Sequence, residues 1–444
     1  MMKEIFENKK AKALFICLSS LLAIFVVSTV VLAILLIGKN SKVNTMIAEN
    51  NDLLKQNSSI LAEISSNADF SAGASVETTK EKETTKVNDE TTSEEFQSEE
   101  VTVDETTTKE EQTTKFEEIE TTTTEQTTAP VVNNSGLPYG KLSVNSDGIL
   151  VGSDGNIAKL QGVSTHGLSW FPQYVNADAV KYCKEQLGAN TFRLAMYTAE
   201  YAGYCEGGDQ AALKQLIHDG VKYATDNNMY VIIDWHVLND NNPNKYKDQA
   251  IAFFREMSAK YKDYDNVIYE ICNEPCGGVS WTEVKNYALQ VIPVIRENDK
   301  DAIIIVGTPN WSQDVDIVAN DRITGYDNIM YAFHFYAATH REDMRNKVTT
   351  ARNSKLPIFV SEFGICSADG NGWIDEAEAN TWISFLEQNN ISYVMWNLCN
   401  KAEASAMINS WNNSTTWWSY DDLSQAGKWL ARTYGGAIAD GKNY

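Results

Sequence analysis

Cysteine is sparse and irregularly placed, with seven in 444 residues. Cys17 lies in an apolar run, and of the other six only Cys272 and Cys276 are close together. The lack of a paired CxxC spacing argues against a zinc ribbon and against a disulfide framework, and leaves one or two bridges open. A chain of this length needs no disulfide to hold a core. Basic residues are also in deficit. Lys and Arg total 37 against 60 Asp and Glu, a formal net charge of −23. No basic stripe offers a footprint for nucleic acid, so that class of partner is not expected. No glycine-rich phosphate loop follows the first strand-like segment, which counts against a dinucleotide-binding fold. There is no HExxH and no close-spaced ligand pair, which counts against a zinc hydrolase.

Charge is missing altogether between Ala13 and Gly38. A helix needs ~20 apolar residues to cross a bilayer, and this run is longer than the apolar core of a cleavable signal. Residues 13–38 are therefore expected to be a membrane anchor, with lipid as a partner. Lys3, Lys9, Lys10 and Lys12 precede the run and only Lys39 and Lys42 follow it closely. That asymmetry places the leader, residues 1–12, in the cytoplasm and the rest outside the cell. The alternative is an unusual cleaved signal, which would release the protein. In residues 39–64, Ile47, Leu54 and Leu61 recur at heptad spacing, as do Met46, Leu53 and Ile60. Asn50 and Asn57 share the remaining seam position with Ile64. Residues 46–64 are thus a candidate for weak dimerisation by a short coiled coil, with a frayed stalk as the alternative.

Residues 65–135 change character. About half of the net charge falls between Glu77 and Glu125, in stretches such as EEIETTTTEQTTAP that are nearly free of aromatic residues. Such a segment cannot bury enough apolar area to offset the entropy of ordering, and its like charges extend it. It is expected to be a disordered spacer.

Residues 136–436 read as one catalytic domain, followed by a tail at 437–444. Eight short runs rich in Val, Ile and aromatics predict strands at Ala158–Ser164, Thr191–Met196, Tyr230–Asp234, Val267–Ile271, Ala302–Gly307, Ile329–Phe333, Pro357–Ser361 and Ser392–Trp396. Between them, segments such as DAVKYCKEQLG carry apolar residues at helical spacing and end near Gly or Asn. Eight strand–helix units in some 300 residues predict a closed (β/α)8 barrel, with an open doubly wound sheet as the alternative.

Chemistry-bearing residues cluster at the ends of these strands. They are His166, Arg193, His236, Asn273 with Glu274, Trp311, His334 with Tyr336, Glu362 and Trp396. In a barrel these ends share one rim, where active sites are built. His340 is also near the rim, whereas His218 sits in a helical pattern and reads as structural. Two glutamates on non-adjacent strands can face each other across a cleft. Cleavage of a glycosidic bond needs such a pair, one protonated to assist the leaving oxygen and one ionised to attack carbon or activate water. Desolvation or nearby negative charge raises the first, and an arginine or tyrosine keeps the second ionised. Singly, each glutamate reads equally well as a salt-bridge partner. Trp170, Trp235, Trp311, Trp373 and Trp396 fall at or after strand ends, where flat faces stack on sugar rings; core packing is the competing reading, most of all for Trp235. The chemistry uses carboxylates and hydrogen bonds alone, so neither a metal nor a cofactor is expected.

The stretch from Tyr139 to about Gly436 resembles glycoside hydrolase family 5, in its bacterial endoglucanase branch. VIYEICNEP is similar to the acid/base signature, with Asn273 and Glu274, and IFVSEFG to the nucleophile strand, with Glu362. The resemblance implies that Arg193 and Tyr336 orient Glu362 and that His334 borders the pair. It implies that His166 and Trp396 line the site of the cleaved sugar, with Trp170 at a further sugar position, and it implies a role for His236; Trp311, as a rim aromatic, is a further candidate for substrate binding. WNLCNKAEASAMI resembles a substrate loop, with Lys401 and Glu403. The implied activity is a retaining endo-β-1,4-glucanase acting on cellulose or a related β-glucan. The alternatives are the same mechanism on mannan or xyloglucan, and a non-catalytic surface glycan binder, against which both glutamates stand intact. One expectation is tested by fractionation. Full-length protein in its parent cell should sediment with membranes and be released by external protease acting in the Thr/Glu spacer. Quantitative release of a form beginning after residue 38 would refute the anchor.

Overall fold

The computed structural model describes residues 136–441. The expected leader, membrane span, heptad stalk and spacer lie outside the described residues. Among those described, no helix is long and apolar enough to cross a membrane.

Eight parallel strands close a barrel: β1 (Gln161–Thr165), β2 (Thr191–Tyr197), β3 (Tyr230–His236), β4 (Val267–Glu270), β5 (Ile304–Val306), β6 (Ile329–Tyr336), β7 (Ile358–Gly364) and β8 (Tyr393–Leu398). They pair in chain order, and β8 returns to β1 with Tyr393 opposite Gln161 and Trp396 opposite Ser164. That closure removes the open-sheet alternative. All eight sequence-predicted strands are present. The first begins three residues later than expected because Ala158 and Leu160 bond elsewhere. Ala158 N–H donates to Leu150 in a short hairpin (Ser143–Val144 with Leu150–Val151), and Leu160 N–H donates to the Ser392 hydroxyl. β6 and β7 run three residues further than predicted, since pairing continues through His334 opposite Glu362 to Tyr336 opposite Gly364.

The helices between the strands are α1 (Ala177–Glu185), α2 (Gln210–Asp226), α3 (Lys247–Tyr261), α4 (Trp281–Arg296), α5 (Val315–Ala319), α6 (Glu342–Asn353), α7 (Glu376–Gln388) and α8 (Gln425–Tyr434). Their starts follow local chemistry. Asn176, Asp209 and Asp375 accept backbone N–H groups at the first turns of α1, α2 and α7, and Ser280 with Glu283 closes a capping box on α4. α8 ends at Gly435 with φ 69°, a conformation that favours glycine. Ala437–Asp440 then forms a 3-10 helix that buries Ile438.

Strand alternation divides the interior into layers. At the floor, Tyr230, Ile232, Ile268, Ile305, Ala332, Phe359 and Val394 form an apolar plug closed beneath by Leu142, Leu150 and Leu160. The intervening residues, such as Val231, Ile233 and Trp235, face the helices. Two positions further up the inward-facing rows, the plug gives way to Ser164, Arg193, Asp234, Glu270, His334 and Ser361, all buried. Trp235 resolves toward core packing, against Tyr204, Phe253 and Phe254. Trp373 is 58% exposed beside Arg341. All six cysteines among the described residues are free thiols.

The outer layer also supports the rim. Trp382 of α7 is fully buried, stacks on Phe335 at 4.1 Å and donates its indole N–H to the His340 carbonyl. Trp382→Ala should cost about 3–5 kcal/mol, as for other large aromatic truncations. Trp373→Ala should stay within about 0.5 kcal/mol, as for exposed sites. Urea unfolding of both variants checks the contrast, and equal losses would contradict the burial argument.

Candidate active site

The upper rim encloses a cleft of about 680 Å³. Glu274, Glu362, His334, Tyr336, His166, Trp170, His236, Trp311, Trp396, Lys401 and Glu403 all line it. Arg193 and Asn273 do not; they are buried beneath its floor.

Arg193 has no solvent exposure. Its Nε donates to Glu270 at 2.7 Å, Nη1 to Glu362 at 3.1 Å, and Nη2 to the Asn273 side-chain oxygen at 2.6 Å. Nη2 also lies 3.1 Å from Asp234. Burial works against the guanidinium charge, but Asp234, Glu270 and Glu362 outweigh it and hold the group above its ordinary range. The Asn273 amide is oriented by two unlike partners, since its Nδ2 faces His236 Nε2 at 3.2 Å. His236 in turn donates Nδ1–H to Asp234 at 2.6 Å. Burial holds His236 well below its usual value, with Arg193 adding to the effect, so the ring is neutral and Nε2 accepts. Asp234 Oδ1 finds no protein partner, and burial, opposed by Arg193, pushes the Asp234 carboxyl up to about 7.

Glu362 owes its aim to a bulge. Between the pairs Ala332–Phe359 and His334–Glu362, β7 spends one residue more than β6. Ser361 and Glu362 consequently both serve the interior. The Ser361 hydroxyl donates to Glu270 at 2.6 Å, while Glu362 takes Tyr336 O–H at 2.8 Å on one oxygen and Arg193 on the other. Gly364 makes room for that tyrosine: a Cβ there would stand 2.4 Å from the Tyr336 ring. Burial and the nearby Glu274 raise Glu362, against His334, Arg193 and His236.

Glu274 has fewer donors. Its Oε1 meets His334 Nδ1 at 2.9 Å. Burial pushes Glu274 up to about 8, with Glu270 and Asp234 adding and Arg193 opposing. Burial also brings His334 down to about 4, with Arg193 in the same direction and Glu362 and Glu270 opposing. Both shifts favour a neutral imidazole against a protonated carboxyl. One oxygen of Glu274 and one of Glu362 lie within 4.8 Å of each other and of a His334 nitrogen. These three groups could in principle hold a cation. However, His334 already spends Nδ1 on Glu274 and Nε2 on Ser361, so a metal would have to break one of those bonds.

Aromatic rings frame the carboxylates. Trp396 stacks on His236 at 5.3 Å, Tyr197 meets His236 at 4.0 Å, and Trp170 meets Tyr197 at 4.6 Å. Lys401 pairs with Glu403 at 2.6 Å, and Glu403 lies 3.8 Å from His166. Trp311 is 45% exposed on a turn where Asn310, Trp311 and Ser312 all have φ between 55° and 59°. Left-handed geometry costs roughly 1–2 kcal/mol per residue. Bonds from Trp311 N–H to Pro275 and from the Ser312 hydroxyl to Asn273 offset it. The turn is thus tied to the backbone of the Asn273–Glu274 motif.

A family model for cellulase, glycosyl hydrolase family 5, matches residues 151–402. The chain belongs to glycoside hydrolase family 5. Among its relatives, Endoglucanase A of Butyrivibrio fibrisolvens is 50% identical over 295 residues, which are 66% of this chain and 68% of that protein. An endoglucanase of Clostridium saccharobutylicum is 46% identical over 289 residues, 65% of this chain and 64% of that protein. A solved Thermobifida fusca Cel5A endoglucanase catalytic domain in complex with cellotetraose superposes with a TM-score of 0.64 at 34% identity, covering 67% of this chain and 98% of that domain. The chain is thus a glycoside hydrolase of this family, and the carboxylate pair at its rim is the candidate catalytic centre.

Sequence reasoning did not single out Asp234, Glu270, Ser361 or Glu200, the last of which lines the cleft. The first two were signalled by period two: Ile232–Asp234–His236 and Ile268–Glu270 place acids in the inward phase. Ser361 was out of phase with Glu362, and only the bulge brings both inside. Arg193→Met should cost about 3–5 kcal/mol, the usual effect of removing one partner from a buried ion network. In the variant, Asp234, Glu270 and Glu362 have folded pKa values raised still further. Their stabilising contribution is present at low pH and lost as pH rises through those values. The loss in urea-unfolding free energy should therefore be larger at pH 8 than at pH 5, and a pH-independent loss would contradict the cage.

Proposed function

We propose that the chain is a retaining endo-β-1,4-glucanase that cleaves internal bonds of cellulose or a related β-glucan, with Glu274 as acid/base and Glu362 as nucleophile. The observation that carries this reading is the carboxylate pair. One oxygen of each within 4.8 Å of the other is closer to the ~5–5.5 Å carboxyl separation of retaining enzymes than to the ~6.5–9.5 Å that admits the water of an inverting one. The hydrogen bonds divide the roles. Glu362 receives one donor on each oxygen and has a lone pair free for the anomeric carbon. Glu274 is the group with the larger upward push and holds the proton.

In the first step Glu362 attacks the anomeric carbon as Glu274 gives its proton to the leaving glycosidic oxygen, leaving a glycosyl ester on Glu362. In the second, Glu274, now ionised, takes a proton from water, which displaces Glu362 and restores both groups with net retention. Tyr336 and Arg193 hold Glu362 in line, and Asn273, held by Arg193 beneath the floor, sets its amide against His236 and so fixes that ring at the reacting position. His166, His236 and Trp396 line that position, and Trp170, Trp311, Lys401 and Glu403 line the cleft around it, where further sugars of the chain would bind. The names of the relatives support a β-glucan substrate. The uncharged segment 13–38 supports placing the enzyme at the outer face of the cell membrane, held off by the acidic spacer, with lipid as its second partner.

The two glutamates should fail differently. Glu362→Ala should be inactive on every substrate. Glu274→Ala should lose about 10²–10⁴-fold on polysaccharide yet still form glycosyl-enzyme from an aryl glycoside whose phenol leaves unaided. Azide should accelerate its turnover and yield a β-glycosyl azide. Proton NMR of the first product from the unaltered enzyme should show the β-anomer. First appearance of the α-anomer would mean inversion and remove the nucleophile role from Glu362. A reducing-sugar panel of soluble β-glucan, mannan and xyloglucan fixes the main chain.

A further inference from the structure

Two buried polar residues that do not line the cleft are joined to Glu274 by a chain of hydrogen bonds. Glu270 on β4 takes Arg193 Nε–H at 2.7 Å on one oxygen and the Ser361 hydroxyl at 2.6 Å on the other. Ser361 Oγ lies 2.9 Å from His334 Nε2, and His334 Nδ1 lies 2.9 Å from Glu274 Oε1. Each hydroxyl and each neutral imidazole has one proton to donate, so the direction of one bond dictates the next. Burial raises Glu270, against Arg193, but the 2.7 Å bond from Arg193 Nε on one oxygen and the 2.6 Å contact with Ser361 on the other fit the carboxylate; a carboxylate can only accept, so the Ser361 proton points to Glu270. Ser361 Oγ is then left as an acceptor, and the ring proton of His334 must sit on Nε2. Nδ1 is consequently a bare lone pair, and the short contact with Glu274 is a hydrogen bond only if the carboxyl carries the proton.

We infer that Glu270 and Ser361 are positioning residues that lock His334 in its Nε2–H form, so that Nδ1 accepts from Glu274 and the proton stays on that carboxyl until a leaving oxygen takes it. The inference rests on the assignment of Glu274 as acid/base. The reverse chain, with Glu270 protonated, Ser361 donating to Nε2 and Nδ1–H donating to an ionised Glu274, would forfeit the charge-assisted bond from Arg193 to Glu270. Doubly protonated His334 is opposed by complete burial. The other charged or titratable groups around the pair are Arg193 and Tyr197 from β2, Asp234 and His236 from β3, Cys276 beyond β4, Tyr336 from β6 and Glu362 from β7. Among the described residues none of these hydrogen-bonds the His334 ring or the Glu274 carboxyl. They bias the pair through space and remain in place when Ser361 is changed.

The experiment compares Ser361→Ala with Ser361→Thr, which keeps the hydroxyl. In Ser361→Ala, Nε2 loses its acceptor, the ring proton moves to Nδ1, and the imidazole donates to ionised Glu274. The alkaline limb of kcat/KM on soluble β-glucan should fall by about one to two pH units, as expected when one hydrogen bond passes from the neutral to the charged carboxyl. Ser361→Thr should keep the limb of the unaltered enzyme. Glycosyl-enzyme formation from a 2,4-dinitrophenyl β-cellobioside, which needs no proton, should change less than twofold. An unmoved limb, or equal losses on both substrates, would leave Ser361 a packing residue and overturn the inference. A direct readout needs no variant: ¹⁵N NMR of the His334 ring in the full-length enzyme should show Nε2 protonated and Nδ1 bare at pH 6, and the opposite pattern would overturn the lock. Azide rescue of Glu274→Ala does not involve Ser361. Failure of rescue with an Nε2–H ring would remove the acid/base assignment, whereas rescue with an Nδ1–H ring would remove the lock alone.

Discussion

The guanidinium of Arg193 is the contact on which the site depends. It is planar, permanently charged and carries five donors in a fixed fork, and here it reaches Glu270, Glu362, Asn273 and Asp234 from one buried position. Each partner then passes its orientation outward. Asn273 sets its amide against His236, Glu270 fixes Ser361 and through it His334, and Glu362 is left to Tyr336. A lysine could satisfy one of these directions but not four. Four carboxyl groups, Asp234, Glu270, Glu274 and Glu362, share this one strong base. The interior is consequently short of positive charge, and that shortage adds to burial in keeping a proton on the member with fewest donors, Glu274.

The barrel supplies the geometry this cage requires. Its lower interior is an apolar plug, which denies water to the cage from below and lets burial act on every titratable group above it. The parallel register puts Asp234 beside Glu270 and His334 beside Glu362 on neighbouring strands, so that like charges and their neutralising partners are set by backbone pairing and not by flexible loops. The outer helices contribute at second hand. Trp382 ties α7 to the His340 carbonyl, and the left-handed turn at Trp311 is tied to Asn273 through Ser312.

Much of this was legible in the residue order. Eight strands, their closure into a barrel and the residues at the strand ends follow from apolar runs and spacing, because in a parallel barrel the chain order is also the order in space. Strand ends were less legible. Ala158 and Leu160 have strand-like side chains, but their backbone groups are claimed by the hairpin and by Ser392. Asp234 and Glu270 could have been taken from the two-residue alternation that also marks Ile232 and Ile268. Ser361 shares the inward phase of Phe359, but with Glu362 taken as inward the same alternation puts it on the opposite face, and only the extra residue in β7 brings both inside. The turn at Trp311 leaves no trace either, because Asn310 alone of its three residues favours positive φ.

The charge imbalance that weakens the resting fold is also what the reaction can use. A glycosidic bond breaks through an oxocarbenium-like state, positive at the anomeric carbon and ring oxygen. In the resting enzyme Glu362 and its neighbours face this position with negative charge that Arg193 only partly neutralises, and desolvation makes that state costly. When positive charge develops on the sugar, the same groups are already aimed at it and need no reorganisation, so the interaction is gained in the transition state and not in the ground state. The proton held on Glu274 completes the arrangement. Were Glu274 ionised at rest, the leaving oxygen would depart as an alkoxide into a negative site. In the proposed acid/base role, Glu274, held neutral by burial and by a bare His334 nitrogen, would give up its proton as the bond breaks and become negative only when the sugar has become positive.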